Sequence, residues 1–257
     1  MSQFTHNGAT IGYETTGAGV PVLVFHGTTQ SRSAWDGVIS AAAPGIEWVK
    51  IDLPGSGESS LPTEPLMLDE IVDGAVALMK TLGHETFGVV GYSLGAVCAL
   101  HTAARHPAAV TSVVSLCGWS KSDARMRHTF TLWQKLLAIS PELFMHYAIV
   151  DGSTAAAVEV LDPIFDGAVA MAATTIAPGS HAHLELDRII DIDDDLSLIT
   201  CPTLVIAGIE DRWVDVSKSR HIADTVEGAT LLELSAGHLV IGEKAAEIAA
   251  AVSAHLV

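Results

Sequence analysis

Apolar runs alternate along this chain with segments of helical periodicity, and this alternation constrains the fold more than any other feature of the sequence. Short runs rich in Val, Ile and Leu are typical of strands buried on both faces of a parallel sheet. Such runs occupy residues 21–25, 46–51, 86–90, 110–116, 203–207 and 230–234, and a weakly alternating run occupies residues 9–15. Helical patterns lie between them at residues 66–82, 94–105, 216–226 and 245–255. This alternation predicts an α/β fold, with helices on both faces of a mostly parallel sheet.

One long segment interrupts this rhythm. Residues 119–198 show helical patterning without a convincing strand. We therefore expect a helical cap subdomain at residues 119–198, inserted over one edge of the sheet, and a core domain composed of residues 1–118 and 199–257. The acidic cluster at residues 191–195 lies at the end of the insertion, and its loop spacing indicates a solvated linker rather than a cation site.

Composition limits the class of protein. With 257 residues, 49% hydrophobic and 17% charged, the chain has the make-up of a folded domain and not of a disordered one. Its formal net charge of −17 argues against nucleic acids and anionic membranes as partners. Cys98, Cys117 and Cys201 form no CxxC pair and are odd in number, so no disulfide framework is expected. With neither a signal-peptide pattern nor an apolar run of about 20 residues, the sequence predicts a cytoplasmic protein.

A candidate nucleophile lies between a predicted strand and a predicted helix. The segment Gly91-Tyr-Ser-Leu-Gly95 has the G-x-S-x-G pattern, follows an apolar run and opens an Ala-rich helix. Strained torsions at such a turn lift the hydroxyl of Ser93 clear of the sheet, and the flanking glycines let strand and helix approach each other. The alternative is a Gly/Ser turn without chemistry, but the flanking strand and helix favour a nucleophile.

A serine nucleophile requires a base, and the base requires an acid that orients it. His238 follows the last predicted strand, and Asp211 follows the strand at residues 203–207. Loops after the carboxyl ends of parallel strands meet at one edge of the sheet, so both side chains are expected beside Ser93. Asp215 is expected to cap the following helix instead.

Two backbone N–H groups are expected to stabilise an oxyanion at this site. One belongs to Leu94, directly after Ser93, and the other to Thr28, in the turn that follows the strand at residues 21–25. His26 precedes that turn and is expected to be a structural histidine. The side chain of Thr29 is expected to line the substrate pocket.

The helical insertion is rich in aromatic residues, since residues 119–186 hold six of the chain's 14. One interpretation is that the insertion needs a small core of its own. The other is that one helical face, with Trp133 and Leu137, joins Trp119 in lining an apolar acyl pocket above Ser93. Both interpretations stay open at this point.

With these residues placed, the chain resembles the α/β-hydrolase superfamily. His26-Gly27 is similar to its oxyanion loop, and the segment at residues 52–59, Asp-Leu-Pro-Gly-Ser-Gly-Glu-Ser, to its turn after strand four. The elbow, acid and histidine loops then follow in the family's order. Within the superfamily the layout is similar to capped small serine hydrolases such as enol-lactonases and carboxylesterases. The resemblance implies an α/β-hydrolase fold, a mostly parallel eight-stranded sheet flanked by helices, with a helical cap inserted after strand six.

The resemblance also implies a reaction. Ser93 would attack the carbonyl of a carboxylic ester, lactone or thioester to form an acyl-enzyme. The expected partner is a small-molecule acyl substrate, a homodimer stays open, and no cofactor is expected. No metal is expected either, because nothing completes a ligand set around His181 and His183. Alternatives on the same fold are a C–C bond hydrolase, a biosynthetic cyclase or lyase, and a ligand-sensing protein with low turnover.

Overall fold

A computed structural model describes residues 2–257, whose centre is a single eight-stranded sheet. The strands are β1 (Ser2–His6), β2 (Ala9–Gly17), β3 (Gly19–Phe25), β4 (Gly45–Ile51), β5 (Phe87–Tyr92), β6 (Val110–Leu116), β7 (Thr203–Gly208) and β8 (Thr230–Leu234). Across the sheet they run in the order β1-β2-β4-β3-β5-β6-β7-β8. The five strand pairs from β4 across to β8 are parallel, whereas the pairs β1–β2 and β2–β4 are antiparallel. The predicted α/β class and mostly parallel eight-stranded sheet are thereby confirmed.

Eleven helices surround the sheet or lie in the insertion within residues 2–257. They are α1 (Asp36–Ala41), α2 (Leu68–Thr81), α3 (Leu94–Arg105), α4 (Ala124–Ile139), α5 (Pro141–Gly152), α6 (Ala155–Leu161), α7 (Phe165–Ala173), α8 (Ser180–Ile189), α9 (Val216–Thr225), α10 (Val240–Glu243) and α11 (Ala245–Leu256). Helices α2, α3 and α9 cover one face of the sheet, and α1, α10 and α11 cover the other. Within residues 2–257 no helix is both long enough and apolar enough to cross a membrane.

The burial of the strands explains which of them the sequence predicts. β5 and β7 are buried at every residue, as expected for strands covered on both faces. β1 is different, because its five residues are mostly exposed and contain one large apolar side chain, Phe4. An edge strand with a solvated face needs no apolar run, so the hydrophobic pattern does not predict β1.

Five helices, α4 to α8, lie between β6 and β7, where the sequence predicts helices. The two ends of this segment meet in a short antiparallel bridge between Lys121 and Asp191. Ser122 N donates to the Ile190 carbonyl at 3.0 Å beside it. The aromatic side chains of α4 and α5 pack in the same hydrophobic cluster as the α2–α3 face of the sheet. The insertion therefore shares a core with the sheet.

The acidic cluster at residues 191–195 is solvated as expected, with Asp191 and Asp194 exposed, but several of its carboxylates have partners. The Asp191 carboxylate pairs with Lys121 at 2.6 Å, and Asp193 pairs with His221 at 2.7 Å. Asp195 lies 2.9 Å from His101 on α3. The pairs of Asp193 with α9 and of Asp195 with α3 join the end of the insertion to the core, whereas the pair of Asp191 with Lys121 joins the two ends of the insertion. Spacing along the chain does not reveal such partners.

Candidate active site

Ser93 lies at a sharp turn between β5 and α3. Its backbone has φ of 56° and ψ of −120°, a combination that a residue with a side chain rarely adopts. A Cβ atom on Gly91 would collide with the carbonyl of Gly95, and one on Gly95 would collide with the carbonyl of Phe25. The G-x-S-x-G pattern is therefore a packing requirement here, because only glycines let the strand and the helix come this close.

Ser93, His238 and Asp211 form one buried chain of hydrogen bonds. Ser93 Oγ lies 3.0 Å from His238 Nε2, and His238 Nδ1 lies 2.6 Å from Asp211 Oδ2. The other carboxylate oxygen, Oδ1, accepts from the backbone N–H groups of Trp213 and Val214 at 2.8 and 2.9 Å. An ionised carboxylate only accepts, so Nδ1 carries the proton and Nε2 presents its lone pair to Ser93. This arrangement can withdraw a proton from the serine hydroxyl.

The loop that carries His238 is held from two sides. On one side Tyr92, at the end of β5, donates its hydroxyl to the carbonyl of His238 at 2.8 Å. From the insertion, the Gly152 carbonyl accepts from Leu239 N at 2.9 Å. The Glu243 carboxylate joins the two sides, since it accepts from Gly237 N at 3.3 Å and from Thr154 Oγ1 at 2.8 Å. These contacts fix the imidazole between its two partners.

Cys117 is a member of this site that the sequence reasoning missed. It follows β6 with φ of 50°, and its buried Sγ lies within 4.8 Å of ligand atoms of Asp211 and His238. Among residues 2–257 these three residues are the one grouping of His, Cys and carboxylate with the proximity of metal ligands. Burial raises the pKa of the Cys117 thiol well above its usual value. A protonated thiol in this position is inert, and the carboxylate and imidazole are already paired with each other.

In the part of the chain that the structure describes, the two expected oxyanion donors have free backbone N–H groups, and Thr28 lines the same cavity as Ser93. Leu94 N–H is the first of α3 and has no carbonyl one turn earlier to bind. The hydrogen bonds formed within residues 2–257 do not use Thr28 N–H as a donor either. His26 before it is buried, with Nδ1 2.8 Å from the Gly27 carbonyl and Nε2 accepting from Leu53 N at 2.9 Å. Burial lowers the pKa of His26 to about 4, so it is a neutral, structural side chain.

A cavity of about 220 Å³ opens above Ser93. Its wall includes two of the four residues expected there, Thr29 and Trp133, but neither Trp119 nor Leu137. The lining consists of Gly27, Thr28, Thr29, Gln30, Tyr92, Ser93, Trp133, Phe144, Met145, Ala148, Ala172, Thr175, Ile176, Trp213, His238 and Leu239. A larger groove of about 500 Å³ lies beside the β1–β2 hairpin and contains none of the triad, so it does not belong to this site.

The prediction that Trp119 and Leu137 line the pocket is wrong, and the reason differs between the two residues. Trp119 is fully buried, and its ring packs on Phe130 at 5.8 Å between centroids. Leu137 lies one helical turn beyond Trp133 and packs against the shared core. Periodicity groups residues on one helical face but does not say which turn of the helix passes over Ser93.

Aromatic residues that the sequence reasoning did not select complete the cavity wall. Trp213 lies two residues after Asp211, and its ring centroid is 4.4 Å from that of Trp133 and 4.8 Å from that of His238. Phe144 of α5 packs edge-on against Trp133 at 5.5 Å. The sequence shows that residue 144 is aromatic, but the packing of α5 decides that the side chain of Phe144 faces the cavity.

His183 and His181 do not form a metal-binding pair. His183 is fully buried on α8, where Nε2 donates to the Pro54 carbonyl at 2.8 Å, whereas His181 is exposed. Burial lowers the pKa of His183 from 6.5 to about 4. His183 is therefore a neutral contact between α8 and the core.

This buried histidine predicts a loss of stability in acid. The unfolded chain protonates His183 below pH 6.5 and the folded chain only below about pH 4, so the free energy of unfolding falls as the pH drops through that window. His183→Gln keeps a donor for Pro54 without the titration. Urea unfolding between pH 6.5 and 4 should show a smaller loss in the variant, by up to about 3 kcal/mol. Equal losses in both proteins would contradict this assignment.

Comparison with known proteins agrees with the fold. The family model described as the alpha/beta hydrolase fold matches residues 20–245. A pyrrolizixenacetamide deacetylase from Xenorhabdus hominickii is 27% identical over 251 residues, covering 93% of this chain and 91% of that protein. A putative carbamate hydrolase, RutD, from Caulobacter sp. (strain K31) is 26% identical over 232 residues, covering 82% and 80%. The enol-lactonase structure from Burkholderia xenovorans LB400 matches with a TM-score of 0.85 at 19% identity, covering 99% of both chains.

Proposed function

We propose, because this chain belongs to the α/β hydrolase fold family, that it is a serine hydrolase that cleaves a carboxylic ester, lactone or thioester through an acyl-enzyme on Ser93. The observation that carries the proposal is the unbroken hydrogen-bond chain from Ser93 through His238 to Asp211. It ends at the floor of an apolar cavity, where a substrate carbonyl has room beside the nucleophile. A buried nucleophile, base and orienting acid in this geometry are the requirements of acyl transfer.

The reaction proceeds in two halves. His238 Nε2 takes the proton of Ser93 as Oγ attacks the carbonyl carbon, and the oxyanion forms between Thr28 N–H and Leu94 N–H. His238 then gives this proton to the leaving group, which departs as the alcohol or thiol. In the second half His238 takes a proton from water as the water attacks the acyl-enzyme, and it returns this proton to Ser93 Oγ as the acid is released. Asp211 stabilises the imidazolium in both halves.

The cavity indicates the substrate class. Three large aromatic side chains, Trp133, Phe144 and Trp213, line it, and no Asp, Glu, Lys or Arg of residues 2–257 does. Burial of a charged acyl group there would be costly because nothing pairs with it. Helices α4 and α5 supply much of the wall facing Ser93, so we propose that the insertion at residues 119–198 acts as a cap over the core domain. The favoured acyl group is uncharged, apolar and small enough for about 220 Å³.

A second candidate is cleavage of an amide or carbamate by the same residues. Two relatives that align over most of their length are named a deacetylase and a putative carbamate hydrolase, and this observation favours the candidate. The chemistry of the two candidates differs in the leaving group, because an amine must be protonated by His238 before it departs. Paired ester and anilide substrates with one acyl group distinguish them.

A graded series of p-nitrophenyl esters tests the proposal. We expect multiple turnovers, with kcat/KM rising from acetyl by up to roughly fourfold per methylene, since each buried methylene contributes about 0.8 kcal/mol. The rise should stop when the cavity is full. Esters of dicarboxylic acids should be poor substrates. A single burst would instead favour a ligand sensor, and the absence of any burst a lyase or cyclase.

A pair of matched variants shows whether this cavity sets the selectivity. Ala148 lines the cavity, whereas Ala170 of α7 is exposed on the surface. Ala148→Leu should move the optimum to shorter acyl chains, and Ala170→Leu should leave it in place. A flat profile in the native protein, or an equal effect of both substitutions, would show that another part of the protein selects the acyl group.

A further inference from the structure

The oxyanion loop is hydrogen-bonded to the helical insertion at two consecutive residues. Thr28 Oγ1 donates to Asp187 Oδ2 of α8 at 2.7 Å. The carbonyl of Thr29 accepts from Ala177 N, just before α8, at 2.9 Å. The insertion therefore holds both the side chain of Thr28, whose N–H is the expected oxyanion donor, and the carbonyl of the next residue, Thr29.

The loop needs such support because its conformation is strained. Thr29 has φ of 67°, in the left-handed region that is disfavoured for a β-branched residue. Strained backbone persists only where surrounding contacts hold it. Within the turn itself, Gln30 N donates to the Gly27 carbonyl at 3.3 Å and Gly27 N donates to Gln30 Oε1 at 3.1 Å. The hydrogen bonds of Thr28 and Thr29 to the insertion hold the same turn from outside and thereby help to fix where Thr28 N–H points.

A role in packing alone does not explain a buried carboxyl at Asp187. It has no exposed surface, its Oδ1 lacks a hydrogen-bond partner among residues 2–257, and no cation in that range pairs with it. A buried, half-satisfied carboxyl destabilises a fold. The presence of a carboxyl at this position is explained if the hydrogen bond from Thr28 serves the reaction.

The surroundings of Asp187 keep it neutral. Burial raises the pKa of Asp187 to about 8, although the hydrogen bond from Thr28 lowers it. Cys98 faces it from α3, and burial together with the charge of Asp187 raises the pKa of that thiol. On α8 itself, His183 lies one turn away but is bound to the Pro54 carbonyl. Near pH 7 the group is therefore a carboxylic acid that accepts from Thr28.

We propose that Asp187 is a positioning residue for the oxyanion hole, which acts through the Thr28 hydroxyl to hold Thr28 N–H toward the oxyanion on Ser93. The inference rests on the proposed function, since it assigns a role to the same site. Asp187 touches neither the substrate nor Ser93, and its effect on the reaction passes through Thr28.

Phosphonylation of Ser93 by a fluorophosphonate probe measures this effect without a known substrate, because the phosphoryl oxygen occupies the oxyanion hole. Thr28→Val removes the hydroxyl and keeps the shape, and it should slow labelling by about tenfold, less than the loss of a whole donor. Thr28→Ser should recover most of that rate. Thr102→Val is the matched control, since Thr102 Oγ1 also donates inside the protein, to the Cys98 carbonyl at 2.6 Å, away from the loop.

The pH profile separates positioning from packing. Above about pH 8 Asp187 ionises, and the buried charge has the Thr28 hydroxyl as its one side-chain partner and no cation among residues 2–257. Because such a charge is costly to bury, we expect α8 to shift and kcat for p-nitrophenyl butyrate to fall while KM changes little. Asp187→Asn retains an acceptor oxygen and cannot ionise, so its profile should lack this alkaline fall. Asp187→Ala should slow labelling as Thr28→Val does, and the double variant should be no slower than either.

The outcomes separate a failure of the proposed function from a failure of the inference. If Ser93 is not labelled in the native protein, the proposed function fails and the inference fails with it. If Ser93 is labelled but Thr28→Val is no slower than Thr102→Val, only the inference is overturned. The inference is likewise overturned, and the proposed function kept, if Asp187→Asn retains the alkaline fall in kcat.

Discussion

Ser93→Ala should lower kcat by about 10⁴–10⁶-fold and leave the fold intact. The substitution removes the atom that forms the acyl-enzyme, while the elbow keeps both of its glycines. Ser93 Oγ contributes one hydrogen bond, to His238, so little stability depends on it. Turnover of the best p-nitrophenyl ester measures the loss of kcat. Circular dichroism and thermal unfolding show whether the fold is intact.

A buried serine outside the site supplies the control. Ser115 of β6 is fully buried and its Oγ has no hydrogen-bond partner among residues 2–257. Ser115→Ala should retain full activity. A fluorophosphonate should label Ser93 alone, because only a hydroxyl beside a base reacts at a useful rate. Labelling of another serine, or activity in Ser93→Ala, would remove Ser93 from the mechanism.

The second large effect is expected at Asp211, where Asp211→Asn should lower kcat by about 10⁴-fold. The amide oxygen would keep the bonds from Trp213 N and Val214 N, which leaves the amide nitrogen facing His238 Nδ1. A donor at that position forces Nδ1 to accept, so the proton moves to Nε2 and the base can no longer receive one from Ser93. The pH dependence of kcat/KM reports the loss.

Asp215 is the natural control for this substitution. Its Oδ1 accepts from Ser217 N at 2.9 Å and caps α9, four residues from Asp211. Because asparagine caps a helix about as well as aspartate, Asp215→Asn should change activity and stability little. A loss at Asp215 that matches the loss at Asp211 would mean that the acid has been misassigned.

The residues of the site could be placed from sequence because local rules fix them. Ser93, Asp211 and His238 each follow an apolar run, and parallel strands bring the loops at their carboxyl ends together whatever the lengths between them. The glycines of the elbow report a steric requirement that is written in the sequence itself. The sequence separation of 145 between Ser93 and His238 therefore did not obstruct the prediction.

The cavity and its support could not be placed in this way. Trp213 and Phe144 line it, and Leu137 does not, because the packing of α4 and α5 on the core decides which helical turn passes over Ser93. The partnership of Thr28 with Asp187 joins positions 159 residues apart. No hydrophobic pattern marks a buried carboxyl, since its burial depends on neighbours supplied by other elements.

The bond between the insertion and the oxyanion loop limits what a chimera with another cap can exchange. A swap of residues 124–173 would replace α4 to α7 while leaving Ala177 and Asp187 with their partners, provided that the graft again supplies the contacts of Gly152 and Thr154 that hold the His238 loop. A swap of the whole insertion, residues 119–198, would remove both Ala177 and Asp187. The oxyanion loop would then lose its two hydrogen bonds to the insertion. The segment that can be exchanged without loss of the oxyanion-loop contacts is therefore shorter than the whole insertion and ends before α8.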